Sequence, residues 1–143
     1  MAIDVAAEET IRRPAQEVAG YATDPANDPA WIGGVVQAEQ LGDGAVAAGS
    51  RVRRTAKFLG RRIDYVTEIT DWRPPAIVTM KATSPFPMEI TYSFAPDGEA
   101  TRAGIRVRGE ASGFFRLAAP LLARQVQRNL QGDLRRLKGI LEG

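Results

Sequence analysis

Two absences decide which side chains of this sequence can do chemistry. Its 143 residues include no histidine and no cysteine. That removes the commonest general base, the commonest metal ligand, thiolate nucleophiles and every Ser-His-Asp or Cys-His arrangement. Proton transfer then falls to carboxylates, tyrosines or lysines whose pKa an apolar pocket shifts. Glu9 qualifies because it shares the parity of Ile3, Val5 and Ile11 in a strand-like run. Tyr65 qualifies from the run Ile63, Tyr65, Thr67, Ile69, with Tyr92 and Arg54 as residues that could join it. A Glu9 that simply sits at a strand end in water is the simpler alternative. No two carboxylates have a spacing that demands a site. GDG and PDGE are turn glycines with no GK[ST] behind them, so no phosphate loop, metal or cofactor is expected.

Two residues raise a binding question instead. Trp31 stands in PANDPAWIGGV, a stretch with the composition of a surface loop, where a large indole is costly to leave exposed. It plugs a core, grips a partner or walls a cavity. Arg54 is the odd member of an apolar strand face formed with Val52, Ala56 and Phe58. Buried, it needs a carboxylate or a ligand acceptor. At a rim it snorkels into water, which is the simpler reading.

The elements that must position these residues follow from periodicity. AIDVAAEETI alternates, as a strand does, and RPAQEVAGYATD turns helical with Pro14 suited to a first turn. The Asp/Pro/Asn segment ends that helix. Six extended runs follow: VVQAEQL, SRVRRTAKFL, RIDYVTEITDW, AIVTMKAT, PMEITYSF and TRAGIRVRGEA. The links between them are short and rich in turn residues, which implies an antiparallel meander. In the fourth strand, apolar residues on both sides leave the inward face ambiguous. From Ala119 to Leu141 the residues Leu122, Val126, Leu130, Leu134, Leu137 and Leu141 form one stripe of a long helix, after a short turn at FFRLA. A single helix, roughly 10 Å across, cannot cover a broad twisted sheet edge to edge. Either the sheet curls tightly around it or a space remains between them.

The phrases IRRPAQEVAGYATD with Trp-Ile-Gly-Gly-Val, YVTEITDWRPPAIVTMKAT, APDGEATRAGIRV and LLARQVQRNLQGDLRRLKGILE resemble the START and birch-pollen-allergen (SRPBCC) superfamily, and within it the polyketide cyclase/dehydrase-like group. The resemblance covers nearly the whole chain. It implies an α+β helix-grip fold for residues 1–143 as one domain: a seven-stranded curved antiparallel sheet wrapped around a long C-terminal helix, with one or two short helices between strands 1 and 2. It also implies a hydrophobic cavity between sheet and helix. The resemblance also implies that the loop holding Trp31 lies near one end of that cavity, and strand parity adds Arg54, Phe58, Met80, Tyr92 and Val107 to the expected lining, around a pocket of roughly 300–1,000 Å³. The small residues Ala103, Gly109 and Ala111 of the last strand leave room beneath the helix.

Composition bounds the remaining readings. A chain 44 % hydrophobic and 25 % charged is globular. Residues 1–49 carry a net charge of −6, residues 50–112 of +4 and residues 113–143 of +4. The basic C-terminal part is either a solvated arginine face or an attractor for an acidic partner or anionic lipid. Arginines without interleaved aromatics do not make a nucleic-acid surface. No apolar run approaches the ~18 residues of a membrane span, and no leader pattern opens the chain, so a cytoplasmic protein is expected. The expected function is binding of a small hydrophobic or amphipathic molecule, lipid-, polyketide- or aromatic-like. The alternatives are a cyclase/dehydratase-like enzyme and an interaction module using the basic helix face. A second copy of the chain, as a homodimer, remains an open partner.

Overall fold

The computed structural model describes every residue except Met1, Leu59, Pro85, Gly113 and Ala118, with Phe58, Phe114 and Phe115 described in backbone only. Alternation in β1 (Ala2–Ile11) buries Ile3, Ala7 and Ile11 and leaves Asp4 and Glu8 in water. The chain then forms α1 (Ala15–Ala22), a single 3-10 turn (Pro25–Asn27) and α2 (Asp28–Trp31). The meander follows as β2 (Val35–Leu41), β3 (Arg51–Phe58), β4 (Arg61–Arg73), β5 (Ile77–Ala82), β6 (Met88–Asp97) and β7 (Ala100–Glu110). A short α3 (Phe114–Leu117) leads into α4 (Ala119–Glu142). All seven strands make one antiparallel sheet in the order β1-β7-β6-β5-β4-β3-β2. This is the helix-grip architecture expected from the sequence.

Two local readings are corrected. The segment expected to be a loop, PANDPAW, is instead a 3-10 turn running into α2. Asp24 caps the turn by accepting from Ala26 N at 3.0 Å, and Pro25 and Pro29 fall in first turns, where a missing N–H costs nothing. In β4 the ambiguous parity resolves: Thr67 and Ile69 are buried on the concave side, with Ile63 and Tyr65 half-buried beside them. A bulge between Ile69 and Asp71 then shifts the alternation by one residue. Trp72 thereby turns toward the core and packs on it, although period two alone would send it outward.

The stripe of α4 buries Leu122, Leu130, Leu134 and Leu137 against the sheet. That contact is one-sided. The helix lies mainly on β1, with smaller contacts to β7 and α2, so α4 leaves most of the concave face of β3 to β6 uncovered, and α1 packs against β6 and β7. Glu142 ties the end of α4 to the end of β1, accepting from Arg12 N at 2.9 Å and Arg12 Nη2 at 3.0 Å. Arg102, Arg106 and Arg108 point away from the core; Arg106 pairs with Asp4 at 2.7 Å and Arg108 with Glu89 at 2.8 Å.

Candidate functional site

The space left by the one-sided helix is a cavity of about 180 Å³, open to solvent on one side. It is smaller than the 300 Å³ lower bound expected, and the large side chains of Trp31, Phe86, Tyr92 and Met80 are among those that line it. Voids of about 150 Å³ admit a single benzene-sized ring, so this one suits a ring or two. The walls are largely apolar, with Ile3, Ile63, Ile90, Ile105, Val107, Leu122 and Val126 among them. Trp31, Arg54, Met80, Tyr92 and Val107 all line it, together with Tyr65. The side chain of Phe58 lies outside the described residues. Glu9 does not line the cavity. It shares the inward parity expected of it, yet α4 covers that end of β1, and Gln131 Nε2 donates to its Oε2 at 3.4 Å.

Trp31 is both plug and wall. It is 1 % exposed, belongs to the main core, and meets Tyr92 edge-on at 5.9 Å. Its indole Nε1 is buried and has no hydrogen-bond partner among the described residues, which costs roughly 1–3 kcal/mol. Of the two glycines that follow Ile32, Gly34 is required by contact and Gly33 is a tight fit. Gly34 has φ +86°, and a Cβ there would lie 2.6 Å from Lys57 O. A Cβ on Gly33 would sit 3.0 Å from Arg136 Nη2 and 3.2 Å from Asp133 Oδ1. The backbone can therefore approach both β3 and α4 closely, which holds Trp31 in the wall of the void.

Arg54 is not at the rim. It is 6 % exposed, and Asp28, 1 % exposed at the start of α2, accepts from its Nε at 2.6 Å. Thr67 Oγ1 accepts from Arg54 Nη1 at 2.5 Å. Burial pushes the Asp28 carboxyl above its ordinary value, with the Arg54 charge pulling the other way. Burial also raises the phenol pKa of Tyr65 and of Tyr92, so both remain neutral donors.

Asp133 was not anticipated from the sequence. It lines the cavity from α4, is 4 % exposed, and accepts from Gly33 N at 2.8 Å and from Arg136 Nη2 at 3.2 Å. Burial lifts its carboxyl to about 6, against the pull of Gly33 N–H and Arg136. An acid whose folded pKa is raised contributes stability that is complete below its unfolded pKa and is lost as pH rises through the folded value. Between pH 4 and 6, the native protein should therefore lose about 2–3 kcal/mol through this group. Urea unfolding across that window should show the slope in the wild type and a flatter profile in Asp133→Asn. Equal slopes would mean that Asp133 titrates normally.

A family profile described as polyketide cyclase/dehydrase and lipid transport matches residues 2–142. The chain belongs to that family. No curated protein matches it. Solved structures similar to this cyclase/dehydrase-family chain include a Thermus thermophilus protein, with TM-score 0.81 at 23 % identity, covering 95 % of this chain and 94 % of that one. An aromatase/cyclase from Streptomyces sp. R1128 gives 0.82 at 18 %, covering 99 % and 94 %. A START superfamily protein from Mycobacterium smegmatis gives 0.80 at 15 %, covering 97 % of each chain. At these identities they establish the shared fold alone, the helix-grip. Among the described residues no group of acidic side chains could hold a metal ion, and no helix is long and apolar enough to cross a membrane.

Proposed function

We propose that the protein binds a compact apolar or aromatic molecule of one or two rings, bearing an oxygen acceptor, between the sheet and α4. The observation that carries this reading is the chemistry of the void. Its walls are largely apolar, while Arg54, Tyr65 and Tyr92 bring hydrogen-bond donors to its surface. Trp31, Met80 and Val107 would contact the rings, and the Arg54 guanidinium and the two phenols would meet the oxygen. The volume argues against a long acyl chain.

The test uses 2-naphthol, two rings with one hydroxyl, titrated calorimetrically into the full chain. Val107 lines the void and is 8 % exposed. Val107→Trp should fill the space and weaken binding at least about tenfold, with little change in melting, since a cavity tolerates added volume that a packed core does not. Equal binding by the filled variant, or none by the wild type, would reject the reading.

A second reading, a cyclase- or dehydratase-like enzyme, is favoured by Asp133. A carboxyl held near neutrality against an apolar cavity suits removal of a proton from carbon next to a carbonyl. Arg54 and Tyr65 would stabilise the oxygen that gains the charge. Turnover of a small polyketide-like diketone that Asp133→Asn abolishes, with 2-naphthol binding retained, would establish catalysis over carriage.

A further inference from the structure

The outer face of α4 plays no part in the cavity, yet it carries an unusual set of side chains. Leu121 is 66 % exposed, and Leu117, one turn earlier at the end of α3, is 90 % exposed. Leu121, Arg124, Arg128 and Arg135 are spaced at three, four and seven residues, which puts them on one outward stripe of the helix. Arg116 is exposed beside Leu117. The two acids of this part of the chain are engaged elsewhere: Asp133 with Gly33 and Arg136, Glu142 with Arg12 and Lys138. Among the described residues, Arg116, Arg124, Arg128 and Arg135 form no ion pair. The face of α4 is thus a bare leucine followed by a row of uncompensated positive charge, with a second bare leucine, Leu117, just before the helix.

We propose that this face docks on the surface of an anionic lipid bilayer, with Leu117 and Leu121 entering the acyl boundary and the arginines against the headgroups. A merely solvated helix face has no reason to expose two leucines at one end, and an acidic protein groove would not by itself need them. A bilayer uses both features, because apolar insertion and charge attraction add. The proposal is independent of what fills the cavity.

Co-sedimentation of the full chain with vesicles tests it. The wild type should pellet with phosphatidylcholine vesicles holding about one-third phosphatidylserine, much less with phosphatidylcholine alone, and less as salt rises. Arg124→Glu combined with Arg128→Glu should lower partitioning at least about twenty-fivefold, since each arginine contributes about fivefold at such a surface. Leu117→Asn with Leu121→Asn should weaken binding while leaving the charge intact. All four positions are exposed, so melting should not change. Three results would each overturn the proposal: no preference for anionic vesicles, charge reversal without effect, or a dimer that the leucine variants dissociate, which would make the patch a self-association surface.

Discussion

Asp28→Ala should destabilise the protein by about 3–5 kcal/mol, far more than the loss of an ordinary surface acid. The reason is not the strength of the Arg54 pair but what its removal leaves behind. Arg54 is 6 % exposed and would retain Thr67 as its partner, a hydroxyl that cannot balance a charge. Replacing both members, as Asp28→Ala with Arg54→Met, removes the orphan and should recover most of the loss, since an apolar pair in place of a buried ion pair is often neutral or better. Chemical unfolding of the two single variants and the double gives the coupling directly. Additive losses, or a cost below about 1 kcal/mol for Asp28→Ala, would show that the pair is solvated rather than buried.

Leu134→Asp should abolish the native fold. Leu134 is 0 % exposed and sits in the main core, on the helix that packs on β1. A carboxylate there meets neither water nor a cation, a cost that exceeds about 4 kcal/mol and approaches the whole stability of a domain this size. Leu121→Asp, on the same helix but 66 % exposed, should stay within about 0.5 kcal/mol of the wild type. Far-UV circular dichroism and thermal melting of the pair separate burial from helix propensity. A Leu134→Asp protein that melts like the wild type would overturn the packing of α4.

The meander and the long helix were legible because each rests on a period. Six alternating runs and one stripe of leucines each persist long enough to outvote single residues. The failures lie where no period exists. The turns of PANDPAW are too short to show one, so Asp28, the buried partner that Arg54 required, was hidden inside what looked like a loop. Tyr65 and Trp72 share a strand whose parity a bulge resets, and a bulge has no fixed sequence signature. Asp133 did leave a signal. It lies three residues after Leu130 and four before Leu137, so a polar side chain was bound to fall beside the buried stripe. Cavity volume could not be read at all, because it is set by how far a few large side chains reach.

The place of β1 in the sheet bears on how the chain assembles. Its ten residues pair with β7, Ala2 opposite Glu110 and Ile11 opposite Thr101, and its inner side is covered by α4. Nearly everything β1 contacts therefore lies about ninety residues or more downstream. β2 to β7, by contrast, form neighbour by neighbour as successive hairpins. On the ribosome the first strand has to wait through most of translation, and in refolding its docking closes the longest loop in the molecule. This is a high-contact-order step. β1 should thus be the last strand protected in pulse-labelling hydrogen exchange, and until it docks the free edge of β7 is the surface most exposed to pairing with another chain.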